Sequence, residues 1–248
     1  MIGIVGGLGP YGGLDITKKI IDETAARSDQ EHLPLLLFSC PNLIPDRTAY
    51  LLDKSNVNPG KAIAAILRQL ETAGATIAAI PSNTAHAESI FSVVQDEMAR
   101  MGSTLKLLHI VYETVRFVDE NYPDTTVGIL STAGEQICSL YREAFIRKGF
   151  VVVEPEGSQH EKVNNAIYDE DYGIKAQPVP IANKAREDLL LVMDDLKKKG
   201  AQVIILGCAE FPLAIPERDY NGMTIIDPNR ILARALVHAL APDKLKPL

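Results

Sequence analysis

Ile2-Gly3-Ile4-Val5-Gly6-Gly7-Leu8-Gly9-Pro10 opens the chain, and a second version of its start, Val127-Gly128-Ile129-Leu130, returns about half-way along it. Each is a short apolar run followed by a small-residue turn, Leu8-Gly9 after the first and Ala133-Gly134 after the second. A continuous apolar run, rather than an alternating one, reads as a strand covered on both faces, the kind that parallel sheets use. Further along, a helix ending in Gly74-Ala75 feeds a strand ending at Ser82-Asn83-Thr84. The same order recurs as a helix ending in Gly200-Ala201 and a strand ending at Cys208-Ala209-Glu210. The step from Gly3 to Gly128 and the step from Ser82 to Cys208 differ by a single residue. Two matches in nearly one register predict duplicated halves. Chance likeness among strand–helix units is the simpler alternative.

The rest of the chain fits that frame. Short apolar runs predict strands over 2–5, 35–39, 77–80, 105–110, 126–130, 151–153, 203–206 and 224–226. Between them, apolar residues at helical spacing predict helices that include 61–73, 85–100, 113–121, 136–148, 184–199 and 229–240. Strands alternating with helices define the class as α/β, in two pseudo-symmetric lobes, each a parallel sheet flanked by helices, with the active site in the cleft between them. The boundaries read as 1–112 plus 227–248 for the N-terminal lobe and 113–226 for the C-terminal lobe, the last helix crossing back after Pro228.

Bulk properties exclude several function classes. A length of 248 residues exceeds the roughly 100–200 of one ordinary domain. A net charge of −7 argues against nucleic acid as a partner, because phosphate binding needs clustered Lys and Arg. No stretch approaches the ~20 apolar residues of a membrane helix. The N-terminus reads as a buried strand rather than a signal peptide. Cys40, Cys138 and Cys208 are too scattered for a disulfide framework or a zinc site. A cytoplasmic protein with free thiols, no metal and no cofactor is expected.

In open parallel sheets, ligands collect beyond the carboxyl ends of the strands. That rule selects the loops 6–10, 40–47, 82–84, 131–135 and 208–210. If the halves face each other about a pseudo-twofold axis, Ser82 and Cys208 occupy equivalent positions on opposite walls of one cleft. A racemase acting through two bases needs that arrangement, one group removing an α-proton and another returning one to the opposite face. Cysteine suits the task, since its thiol pKa of about 8.5 falls toward neutrality at a helix N-terminus. Glu210 is close enough in sequence to orient or assist it. The simpler reading of Cys208 is a buried small residue. Ser82 has a far weaker acid, and His86 reads as packing or capping rather than as its base. Asn83 and Thr84 offer neutral donors for a carboxylate at a helix N-terminus, or simply cap that helix. Arg47 could pair with a carboxylate through its fork, although spacing alone favours a surface arginine. The glycines of Gly6-Gly7-Leu8-Gly9 do not form a dinucleotide fingerprint.

With these residues in view, the chain resembles the aspartate/glutamate racemase family, and aspartate racemases within it. The resemblance rests on Ile4-Val5-Gly6-Gly7-Leu8-Gly9-Pro10, Gln30-Glu31-His32, Ile44-Pro45-Asp46-Arg47-Thr48, Ile80-Pro81-Ser82-Asn83-Thr84-Ala85-His86 and Leu206-Gly207-Cys208-Ala209-Glu210. It implies racemisation of aspartate or glutamate without pyridoxal phosphate or metal, in a homodimer. It also implies catalytic positions at Ser82 and Cys208, and substrate contacts at Arg47, Asn83, Thr84, Thr132 and Lys175, the lysine after the Ile167-Tyr168 pair.

Three positions depart from the family pattern. Ser82 stands where a cysteine is expected, Glu135 where a threonine is usual, and Ala209 where another threonine is usual. Four accounts fit: an introduced serine in an ordinary racemase, an enzyme acting mainly in one direction, a single-cysteine decarboxylase or isomerase of small carboxylic acids, and a non-catalytic amino-acid binder. Cys40 reads as a core thiol before it reads as a substitute acid.

Overall fold

Gly3 and Gly128, the paired glycines of the repeat, do the same packing work in two sheets. A methyl group on Gly3 would come within 3.0 Å of the Ala75 Cβ and 3.2 Å of the Leu70 Cβ. On Gly128 it would come within 3.1 Å of the Ala201 Cβ and 3.5 Å of the Leu196 Cβ. In each case a helix end and the turn after it lie so close to the first strand of their sheet that any side chain would push them away.

The computed structural model describes residues 1–133 and 139–248. It divides into one unit of Met1–Glu113 with Asn229–Leu248, and a second of Thr114–Pro228.

The first unit holds a four-stranded sheet in the order β2-β1-β3-β4, with β1 at Ile2–Gly6, β2 at Leu35–Ser39, β3 at Ile77–Ala79 and β4 at Lys106–Leu108. All its pairings are parallel, with Ile2 level with Leu35 on one side and Ile77 on the other. Ile2, Ile4 and Val5 have no exposed surface, as their unbroken apolar run requires. A helix over Pro10–Glu23, absent from the sequence expectation, buries Gly12, Gly13, Ile16 and Ile20. Its two glycines dilute the helical signal, while Pro10 supplies a favourable first-turn residue.

The second unit holds five strands in the order β6-β5-β7-β9-β8: β5 at Thr126–Leu130, β6 at Val151–Val153, β7 at Val203–Leu206, β8 at Asp219–Tyr220 and β9 at Met223–Ile226. The order β6-β5-β7-β9 repeats β2-β1-β3-β4 strand for strand. The expected parallel sheet is seen here too, with one addition at its edge, where β8 pairs antiparallel to β9. Asn221 and Gly222 both take positive φ, 51° and 75°, in the two-residue turn between them. That Asn-Gly pair is a strong local hairpin signal, and it stood unread in the sequence. Leu189, Val192, Met193, Ile204 and Phe211 are fully buried in the core of this unit.

The closing helix, Pro228–Leu240, belongs to the first unit apart from its first residue. The buried Glu23 carboxylate accepts from both Arg230 and Arg234. Asn229 donates to Asp15 at 3.0 Å.

Two expected elements differ in extent. The helix expected over 85–100 is a short 3-10 turn at Thr84–His86 and then an α-helix at Glu88–Arg100, parted by Ala87 with ψ 135°. The strand expected over 105–110 stops at Leu108, and a helix begins at Ile110.

Candidate active site

Each unit carries chemistry at the carboxyl ends of its strands. In the first unit, β3 runs through Ile80-Pro81 into Ser82 and Asn83, which are only 4% and 5% exposed. The Ser82 Oγ lies 3.4 Å from the Thr84 Oγ1. Asn83 stands at the cap position of the 3-10 turn, and its side chain makes no capping hydrogen bond. The sequence expectation of donors at an α-helix N-terminus is therefore corrected: a three-residue turn stands there, too short to build a helix dipole.

Arg47 heads the helix Arg47–Leu52, whose first turn is fixed by the Asp46 carboxylate accepting from the Ala49 amide at 2.7 Å. Its Nη2 donates to the Leu8 carbonyl at 2.7 Å, while its buried Nε makes no hydrogen bond. The guanidinium is thus anchored from one side to the small-residue turn after β1. Gly7 shapes that turn, taking φ +89° where a side chain would run into the Pro41 backbone.

His86 is buried beneath the Ser82 turn, with Nδ1 2.9 Å from the Ser82 carbonyl oxygen. Its ring stacks on Phe91 and meets the His109 ring edge-on. Burial holds the two histidines down to about 4 and about 3 respectively. Both are neutral at physiological pH.

In the second unit, β7 leads through Gly207 to Cys208. The thiol donates to the Glu210 carboxylate, Sγ to Oε2 3.1 Å, and Glu210 is itself buried at 6% exposure. Burial first, and the Glu210 charge second, push the Cys208 thiol well above its usual range. The sequence expectation of a thiol lowered toward neutrality is corrected by this: the helix that follows, Phe211–Ala214, is one short turn, and a carboxylate faces the sulfur. An acidic neighbour favours the protonated thiol, so the thiolate forms only when a base such as Glu210 takes its proton.

Thr132, after β5, is buried. Lys175 follows the helix Ser158–Tyr168, on a turn held by Lys175 N–H to the Ile167 carbonyl at 3.1 Å. Its ammonium lies over the Tyr168 ring, 4.8 Å from the centroid, and favours a charged Cys208 thiolate. Tyr168 is the member of this cluster that sequence reasoning passed over, having served only to locate the lysine. Burial, then the Cys208 charge, push its phenol upward, while Lys175 and the Thr132 hydroxyl oppose them. Thr132, Tyr168, Lys175, Cys208 and Glu210 thus form one electrostatically coupled group. Arg47, Ser82, Asn83 and Thr84 lie in the other unit. Glu135 and Cys138 lie outside the described residues. Among the described residues no group of three or more His, Cys, Asp or Glu side chains is placed to hold a metal ion. Nor is any described helix long and apolar enough to cross a membrane.

The repeated sheets and the thiol–carboxylate pair at a strand end define an α/β enzyme equipped to move protons. The chain belongs to the Asp/Glu/hydantoin racemase family, whose profile matches residues 5–236, and is accordingly an isomerase. It is 26% identical over 242 residues to the broad specificity amino-acid racemase RacX of Bacillus subtilis (strain 168), covering 96% of each chain. Its fold is similar to Picrophilus torridus aspartate racemase, with a TM-score of 0.78 at 24% identity over 96% of this chain and 93% of that one. An aspartate racemase homologue from Pyrococcus horikoshii OT3 gives a TM-score of 0.72, also at 24% identity, over 96% and 97%.

Proposed function

We propose that the chain is an amino-acid racemase that moves the α-proton of aspartate or glutamate through Cys208, without pyridoxal phosphate or metal. The observation that carries this reading is the Cys208–Glu210 contact at 3.1 Å. In it, Glu210 takes the thiol proton as the substrate arrives, leaving a thiolate whose charge Lys175 stabilises. The thiolate removes the α-proton: the S–H bond forms, the Cα–H bond breaks, and its electron pair is held as an enolate-like carbanion. A proton then returns to the opposite face of that carbon, and Ser82, at the corresponding strand end of the first unit, or a water bound to it, is the group assigned to deliver it. A hydroxyl is a much weaker acid than a thiol, so the reaction is impaired or runs faster in one direction. Arg47 binds the α-carboxylate, and Asn83, Thr84, Thr132 and Lys175 complete the polar contacts. The family resemblance extends the proposal to a homodimer, and the few scattered cysteines extend it to a cytoplasmic location.

Incubation with a panel of single enantiomers in heavy water, read by proton NMR, tests the reading. Deuterium is expected at the α-carbon of an acidic amino acid, with loss of optical purity. Absence of exchange across the whole panel would rule it out. The serine at position 82 favours one second reading, a single-thiol decarboxylase or isomerase of small carboxylic acids. Carbon dioxide release or a rearranged acid, without racemisation, would mark that activity.

A further inference from the structure

His86 plays no part in the proton transfers just described, yet it is buried and hydrogen-bonded directly beneath Ser82. The Ser82 carbonyl 2.9 Å from Nδ1 can only accept, and Nε2 makes no hydrogen bond although the Leu108 carbonyl also favours a hydrogen on the ring, so the hydrogen is assigned to Nδ1. Two aromatic neighbours fix the ring, and a third backs one of them. Phe91 stacks on it at 5.0 Å between centroids, and His109 meets it at 4.4 Å with 61° between planes. Tyr112 stacks on His109 at 3.9 Å and carries the column out toward solvent. His109 leaves β4 just past Leu108, which is level with Ala79 in β3, so the column stands beside the segment that delivers Ser82.

That geometry bears on the orientation of the turn. The Ser82 carbonyl belongs to the same peptide unit as the Asn83 amide. A donor locked onto it sets the plane of that peptide, and with it the directions in which the Ser82 hydroxyl and the Asn83 side chain leave the backbone. The Ser82 amide is tied at 2.8 Å to the Ile80 carbonyl, and the His86 amide closes the turn on the Asn83 carbonyl at 2.9 Å. Between these two backbone bonds, the imidazole is the side chain that grips the peptide from below.

We propose that His86 is a positioning residue for the proposed racemase: held as its Nδ1–H tautomer by the Phe91–His109–Tyr112 column, it fixes the Ser82–Asn83 peptide and so aims the Ser82 hydroxyl. The inference rests on the reading of Ser82 as a site residue. A merely space-filling histidine would be replaceable by phenylalanine. A positioning donor would be replaceable by asparagine, whose amide N–H falls near the place of Nδ1.

Long-range proton–nitrogen NMR on histidine-labelled protein near neutral pH reads the tautomer directly. His86 is expected neutral, with Nδ1 protonated and Nε2 bare; an Nε2–H tautomer overturns the proposal. In His86→Phe the Asn83 amide resonance is expected to move and the kcat of α-proton exchange to fall by about tenfold, with KM changing by less than about threefold. His86→Asn is expected to restore both. Equal behaviour of the two variants, or a wild-type rate in His86→Phe, overturns it as well. If the wild-type protein exchanges no amino acid, the functional reading fails on its own, and the tautomer and the Asn83 resonance still decide whether His86 orients the turn.

Discussion

The thiol of Cys208 donates a hydrogen bond to the carboxylate of Glu210, with Sγ 3.1 Å from Oε2 and Ala209 between them carrying no polar side chain. The carboxylate has two opposite effects: as a negative charge it keeps the thiol protonated, and as an acceptor it is where that proton can go. Glu210→Gln separates them. With the charge gone, the thiol titrates at lower pH, so the midpoint of iodoacetamide labelling against pH moves down. With the acceptor gone, α-proton exchange falls by about a hundredfold. A labelling midpoint that stays in place would show that the contact does not govern the thiol.

Ser82 stands at the end of β3, the strand that corresponds to β7 with Cys208 at its end. Ser82→Cys is expected to raise racemisation by about tenfold or more in the slower direction, because a thiol donates a proton far more readily than a hydroxyl. Progress curves from each pure enantiomer, followed by polarimetry, give the comparison. Unchanged rates in both directions would remove Ser82 from the proton path.

Buried His86 and half-buried His109 make stability depend on pH. Their folded values, about 4 for His86 and about 3 for His109, lie below the ordinary 6.5. The unfolded chain therefore binds more protons between those values, and stability is present above about pH 6.5 and is lost as pH falls toward 4. Urea midpoints measured across this range are expected to drop with pH. His86→Phe removes one of the two groups and is expected to flatten the curve.

Glu23 is buried between Arg230 and Arg234. Burial raises its pKa, but the two guanidiniums outweigh that and leave it lower than usual. Glu23→Gln removes the carboxylate that Arg230 and Arg234 share, at a cost of about 3–5 kcal/mol. The denaturation midpoint should fall clearly, and the closing helix should lose amide protection first. In the wild type the contribution is present above the ordinary carboxylate range and fades as pH falls through it.

The duplicated scaffold was legible because its signals are local. Gly3 and Gly128 announce strands that a neighbouring helix approaches closely, and unbroken runs such as 203–206 announce burial on both faces. The short antiparallel β8 was equally local, written in Asn221-Gly222, but two residues of strand are too few to show periodicity. The Thr84–His86 turn was not local. Nothing in Ala85-His86-Ala87-Glu88 opposes one continuous helix, and the break follows from where the imidazole finds a carbonyl and two aromatic rings. The part played by Tyr168 was hidden for the same reason, since its neighbours Thr132, Lys175 and Cys208 are distant in sequence.

By itself, the sequence determined the α/β class, the repeat, and which loops carry reactive groups, because periodicity and small-residue turns are properties of neighbouring residues. Only the tertiary structure decided the state of those groups. Cys208 at a strand end reads as an activated thiol until the fold sets it, half-buried, against a carboxylate, and His86 reads as a helix residue until the fold seats it beneath Ser82. Proton affinity depends on desolvation and on the nearest charges, and in a folded chain those are set by residues far away in sequence.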